Sequence, residues 1–307
     1  MRRAFVLGWS LVGLGTGVAS SAEYPRAYVS ERQVWIQRSA SEVAFQATHG
    51  CAVQSTPAVS PDRTRIAYGV ACVGNDQQIT ALNLVVLDWS GKEVGRCAPL
   101  RMKTLASTCT QAEEPEWIDD GHIAVVCEYN PSVEDELVVD ARTGEIVKEY
   151  TGLWFTWSPD HKTVAYVGFI VHFAPPSAQN YCLLLNGRTI YTRDCSNEVK
   201  EDKSGSFGNI HTFGYPLAWS RDGDKIAFVE EVFDWAFDPA PNETGSGKSS
   251  HERYYLVIAC ADQPTRGYRL QRSEYSSNPA LSWISPSQIK LGGKIYDLAK
   301  NKPELIP

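Results

Sequence analysis

The stretch Trp157-Ser158-Pro159-Asp160-His161-Lys162-Thr163-Val164-Ala165-Tyr166 reads as a complete β-hairpin turn. Proline presets φ, and Ser and Asp side chains bond their own backbone in a turn. The tryptophan before the turn is a core residue, and Val-Ala-Tyr after it has the composition of a returning strand. The same unit recurs along the chain. Val59-Ser60-Pro61-Asp62 leads to Ile66-Ala67-Tyr68, and Trp219-Ser220-Arg221-Asp222 leads to Ile226-Ala227-Phe228. Trp117-Ile118-Asp119-Asp120 leads to Ile123-Ala124-Val125, and Trp283-Ile284-Ser285-Pro286 leads to Ile289. The small alanine in the returning strand lets neighbouring sheets approach closely.

Each unit is followed by two further strands. Leu82 to Trp89, the turn Ser90-Gly91-Lys92 and Glu93 to Cys97 form one such pair. Glu136 to Val139, Arg142-Thr143-Gly144 and Glu145 to Tyr150 form another. Tyr181 to Leu185 is joined to Arg188–Thr192 by Asn186-Gly187, the strongest short hairpin signal. Arg253 to Ala259 and Tyr268 to Gln271 complete the series. Four strands per repeat at a spacing of roughly 40 to 64 residues is the pattern of a β-propeller. Five copies predict an all-β propeller of five blades, or six if the N-terminal strands form a degenerate blade. The last copy is short. Gln33 to Arg38 and Glu42 to Thr48 are expected to supply its missing strands and close the ring, which removes open sheet edges.

The Trp-Ser-Pro-Asp…Ile-Ala-Tyr pattern resembles the WD40-like repeat of TolB-type propellers, over about residues 55 to 300. The resemblance implies the fold and not a function, because similar propellers occur in binding proteins and beside peptidase domains. TolB carries an additional N-terminal α/β domain, for which this reading leaves no room.

Outside the repeat, Arg2-Arg3, the apolar stretch Ala4 to Val18 and Ser20-Ser21-Ala22 read as a signal peptide over residues 1–22. One propeller domain is expected over residues 23–307, periplasmic or secreted, with no membrane span once the signal is removed. A net charge of −7, with no basic run longer than Arg2-Arg3, argues against nucleic acid as a partner. The eight cysteines then read as disulfides of an exported protein. Cys51 and Cys109 each stand six residues before the equivalent Pro57 and Pro115, while Cys72 and Cys127 follow the equivalent Ile66 and Ile123. The expected pairs are therefore Cys51–Cys72 and Cys109–Cys127. Cys182–Cys195 would staple a hairpin, which leaves Cys97 with Cys260. No Cys/His set has zinc spacing, so no metal and no cofactor are expected.

In a propeller blade the first-to-second and third-to-fourth turns share one end, and here those turns are short. The connections at the other end are long: Gly74–Gln78, Ile170–Asn180, Ser196–Gly214 and Phe233–Glu252. Long connections in a compact fold concentrate function. His172, Phe173, His211, Phe213, Phe233, Trp235, Phe237, Asp238, Lys248 and His251 are the expected binding residues. Aromatics interleaved with charge suit a protein or peptide partner in the cell envelope or outside the cell. The structural alternative is that the aromatics form the core face of an extended strand.

Catalytic motifs fall short. Gly245-Ser246-Gly247-Lys248-Ser249 ends like a phosphate loop, but Asn242 stands where its first glycine belongs. No Gly-x-Ser-x-Gly elbow occurs. The enzymatic alternative is a glycosidase-like propeller drawing two carboxylates from Asp62, Asp119, Asp120, Asp160 and Asp222. Their place in hairpin turns favours a capping role, and no catalytic residue is assigned.

Overall fold

A computed structural model describes residues 24–73, 79–102, 107–109, 111–112, 114–130, 133–171, 179–191, 207–237, 247–275, 280–300 and 302–305. The signal region, His172, Phe173, Cys195 and Asp238 lie outside them. The chain is all-β, built of antiparallel sheets that follow one another in sequence order. Sheet 1 holds Arg26–Ser30, Gln33–Gln37 and Phe45–Gln46. In sheet 2, Arg65–Val73 pairs with Ala52–Val53 and Ala58–Val59 on one side and Ile79–Asp88 on the other, and Glu93–Cys97 follows. Sheet 3 runs from Gln111–Ala112 and Glu116–Trp117 through His122–Asn130 and Val133–Asp140 into Ile146–Trp157.

That last strand serves two sheets. Its first half pairs with Val133–Asp140, and from Leu153 onward it pairs with Val164–Val171. The change falls at Trp154, which adopts a left-handed φ of 57°. Sheet 4 continues through Gln179–Leu185 and Arg188–Tyr191, joined by Asn186 and Gly187 at φ 48° and 88°. Positive φ at both centres gives the turn the twist that adjoining strands require. Sheet 5 comprises Phe207–Trp219, Lys225–Phe237, Gly247–Cys260 and Gln263–Leu270, with Glu304–Leu305 added at its edge. Sheet 6 holds Leu281–Ser285, Gln288–Leu291 and Lys294–Asp297.

Strand alternation places apolar side chains on both faces of the middle sheets. Ile66 and Tyr68 pack toward sheet 1 with Val34 and Ile36, while Ala67 packs toward sheet 3 with Trp117 and Ile123. Ile226 and Phe228 join sheet 4, while Ala227 and Val229 join sheet 6. Val138 and Tyr150 meet Val164 and Tyr166 between sheets 3 and 4. Five buried clusters thus join six sheets in a row, and among the described residues none joins sheet 6 to sheet 1.

The N-terminal strands, expected to complete the last sheet, instead form a sheet of their own. The reason is local: Glu31 and Arg32, at φ 53° and 59°, fold Arg26–Ser30 directly onto Gln33–Gln37. A backbone bond from Val53 N to Arg32 O, 3.0 Å, then ties this sheet to sheet 2.

Candidate functional site

The two ends of the sheets are built differently. At one end the repeated turns are near copies. Ser60, Ser158 and Ser220 are buried, and each hydroxyl donates to the aspartate two residues on: Asp62 at 2.6 Å, Asp160 at 2.7 Å, and Asp222. Each serine oxygen also accepts from the backbone N–H five residues on, at 2.9 to 3.0 Å. The fourth turn residue, Arg63, His161 or Gly223, has a left-handed φ of 57°, 54° or 74°. These bonds occupy the carboxylates. The Ser60 hydroxyl, with the Thr64 backbone and hydroxyl, holds Asp62 down at a pKa of about 2, and Asp160 and Asp222 are lowered by the equivalent serine bonds. Asp119 accepts from Gly121 N and His122 N. Asp120 receives the Asp62 N–H at 3.0 Å, joining sheet 3 to sheet 2.

The opposite end carries the long strands of sheet 5. Lys225–Phe237 and Gly247–Cys260 stay in register from Lys225↔Cys260 to Phe237↔Gly247, with one irregularity between Val232 and Asp234. The bulge puts His251 at φ 53° and leaves its side chain 80% exposed, with Nδ1 3.0 Å from Asp234 Oδ2. A left-handed histidine stores strain that a smooth strand would not, and strain of this kind gathers where a strand is re-aimed. Beside it lies a cavity of about 440 Å³, lined by His251, Glu252, Arg253, Tyr254, Arg269 and Arg272 among others. Glu252 accepts from the Ser249 hydroxyl at 2.8 Å and the Tyr254 hydroxyl at 2.9 Å, and pairs with Arg272 at 3.2 Å. These contacts, the Ser249 bond foremost, lower its pKa.

The expected binding residues divide. Phe213 and Phe233 are buried, so they belong to the core rather than to a recognition surface. Phe213 packs 4.6 Å from Phe228, 6.0 Å from Tyr191 and 6.0 Å from Tyr181, ring centre to ring centre. Strand alternation turned these phenylalanines inward. His211, Trp235, Phe237 and Lys248 sit in the strands of sheet 5, where Trp235 lies between Phe207 and Ser249 in register. Of the ten, His251 is the one whose exposed side chain the structure describes. The sequence reading did not single out Arg253 and Arg269, which the register Tyr255↔Arg269 sets on one face of sheet 5, or Arg272, which follows that strand. No local motif marks them.

Buried polar groups lie between the sheets. Tyr191 donates to Glu230 Oε2 at 2.9 Å between sheets 4 and 5, and Trp157 Nε1 donates to Glu136 Oε1 at 2.9 Å between sheets 3 and 4. Asp135, fully buried and opposite Thr151, has its pKa raised by desolvation, against the Thr151 hydroxyl and with help from Glu149.

The cysteines divide as well. Cys109 and Cys127 form a disulfide with Cα atoms 5.5 Å apart. Cys182 is disulfide-bonded, and its expected partner Cys195 lies outside the described residues. The pairing Ala52↔Ala71, run one residue further, sets Cys51 opposite Cys72, but the expected disulfide between them is not formed, and Cys51 is an exposed thiol. The expected Cys97–Cys260 pair does not form. Cys97 is a buried thiol on the edge strand of sheet 2 and Cys260 a half-buried thiol in sheet 5, with two sheets between them.

Among the described residues, no His/Cys/Asp/Glu group is arranged to hold a metal ion, and no helix is long and apolar enough to cross a membrane. The geometry defines a class: an all-β protein of serially stacked antiparallel sheets, short-turned at one end and long-stranded at the other. No family model matches the sequence, and no curated protein matches it. Solved structures similar to the chain include the β-propeller domain of the Trilobed protease from Pyrococcus furiosus, with 11% identity, TM-score 0.38, and coverage of 87% of this chain and 89% of that one. Kuenenia stuttgartiensis hydrazine synthase gives 15% identity and TM-score 0.40, covering 94% and 81%. A putative TolB from Agrobacterium tumefaciens gives 12% and 0.27, covering 86% and 83%.

Proposed function

We propose that the sheets are blades of a propeller in an exported, non-catalytic protein that binds a protein or peptide at its long-stranded end. The observation that carries the reading is the asymmetry of the two ends. At the short end, serine and aspartate groups are consumed in closing turns, which is a structural use of acids that a glycosidase would need as a facing pair. At the other end, the strands of sheet 5 run to Phe237 and Gly247, and His251 is held out at a bulge. The serial stacking of the sheets through five buried clusters supports the propeller reading. The Cys109–Cys127 disulfide fits an oxidising compartment.

The test is capture of partners from the host envelope fraction by the parent protein and by a variant carrying Trp235→Ala and Phe237→Ala. The variant is expected to lose a partner that the parent retains. Identical partners, with unchanged melting, would remove this end from the binding role. Fractionation of the host is expected to place the chain outside the cytoplasm, beginning at Glu23.

A further inference from the structure

We infer that Asp135 makes the Cys109–Cys127 disulfide a reducible link, because it offers the dithiol state a hydrogen bond that the disulfide state lacks. Asp135 stands directly opposite Cys127 in the ladder of sheet 3, so the two side chains share one face with Cβ atoms about 5 Å apart. Asp135 and both cysteines are fully buried. Neither carboxyl oxygen of Asp135 has a hydrogen-bond partner among the described residues. The Thr151 hydroxyl, opposite on the other side, is near enough to favour the charge but makes no hydrogen bond to it. A disulfide has no proton to offer such a group, whereas a thiol has one. An unsatisfied buried carboxyl is costly, and reduction of its neighbour supplies the missing partner.

The bond sits where its loss has a consequence. Cys109 N donates to Leu100 O at 3.0 Å, and Cys109 O accepts from Leu82 N of sheet 2 at 3.2 Å, while Cys127 belongs to sheet 3. The disulfide is thus a covalent tie between these two sheets. In the reducing step a dithiol gives two electrons to the protein S–S bond. That bond breaks, an S–S bond forms within the reductant, and its two thiol protons end on Cys109 and Cys127. The Cys127 S–H then donates to the Asp135 carboxylate. Glu149, on the same face of the neighbouring strand, is the acid that opposes this charge. The apolar cluster packed there from sheet 2, with Leu82, Leu84 and Met102, holds one further titratable group among the described residues, the Cys97 thiol. Glu134 and Glu136 lie on the other face by strand alternation. Burial raises the Asp135 pKa in the disulfide state, and the new hydrogen bond to the charged form lowers it. Reduction therefore releases a proton and becomes more favourable as pH rises.

The experiment equilibrates the full chain with mixtures of reduced and oxidised dithiothreitol from about pH 5 to about pH 8, below the range where free thiols ionise. Differential alkylation and peptide mapping count the Cys109 and Cys127 thiols, and near-ultraviolet circular dichroism follows the fold. Both sulfurs are buried, so equilibria are compared rather than rates, which depend on how a reductant enters. In the parent the equilibrium is expected to move toward the dithiol by roughly tenfold across this range, the scale of one hydrogen bond to a charged group. In Asp135→Asn it should stay flat. Asp135→Ser takes its place if the asparagine variant melts early. A flat profile in the parent overturns the inference, as do equal slopes in parent and variant. Unfolding on reduction overturns it too, because the hydrogen bond requires the intact ladder of sheet 3.

Discussion

The indole Nε1 of Trp283 donates to the carbonyl oxygen of Ala218 at 2.9 Å, tying sheet 6 to the first strand of sheet 5. Trp219 makes the same bond to Thr156 at 3.1 Å, and Trp117 to Ala58 at 3.0 Å. In each case the acceptor is the residue just before the equivalent position of the preceding repeat. A tryptophan therefore closes each of these junctions twice, by apolar area and by one directed bond. Trp157, in the fourth such position, donates to the Glu136 carboxylate instead.

Replacing Trp283 by Phe removes the bond and part of the ring, and should cost about 1–3 kcal/mol in urea unfolding. Trp283→Ala should cost about 3–5 kcal/mol. An equal, small effect of both would mean that sheet 6 contributes little to the cooperative unit.

Acid should loosen the turns. Asp62 has a folded pKa of about 2, below its ordinary 3.8, so its contribution is present above pH of about 4 and is lost as pH falls toward 2. Asp160 and Asp222 shift the same way. Asp62→Asn should flatten this part of the stability-against-pH curve. Ser220→Ala, which removes both the bond to Asp222 and the one from Lys225 N, should cost about 1–2 kcal/mol by the same unfolding measurement.

Asp135 has the opposite sign. Its raised pKa means that the folded state takes up a proton more readily than the unfolded chain, so this residue favours folding at low pH and opposes it as pH rises through the folded value. Asp135→Asn keeps the shape and removes the charge. It should raise the urea midpoint at pH 7 and leave it little changed at pH 4. A lower midpoint at pH 7 would show that the charge is stabilised where it stands.

Thiol chemistry should separate the cysteines. Cys97 is buried and its pKa is raised by desolvation, so alkylation should reach it only on unfolding. Breaking Cys109–Cys127 by Cys109→Ser/Cys127→Ser opens a link across 18 residues and should cost about 3 kcal/mol. Peptide mapping with differential alkylation and urea unfolding check the two statements.

The repeat was legible because each copy is self-contained. Ser60, Ser158 and Ser220 close their turns with bonds to residues at most five positions away, and Asn186-Gly187 sets its hairpin by φ alone. Phe213 and Phe233 were misplaced because a strand's period of two does not say which face meets a neighbour. Arg253 and Arg269 were not singled out because register brings Arg269 beside Tyr255, fourteen residues earlier.

The amino-acid order by itself thus determined the strands, their turns and their serial arrangement, because those depend on torsional preference and hydrogen bonds within a few residues. Tertiary structure alone decided which aromatics are buried and where Cys97 and Cys260 end up. Those outcomes depend on how sheets stack and slide against one another. That is set by the summed packing of many side chains, and no short window of sequence contains it.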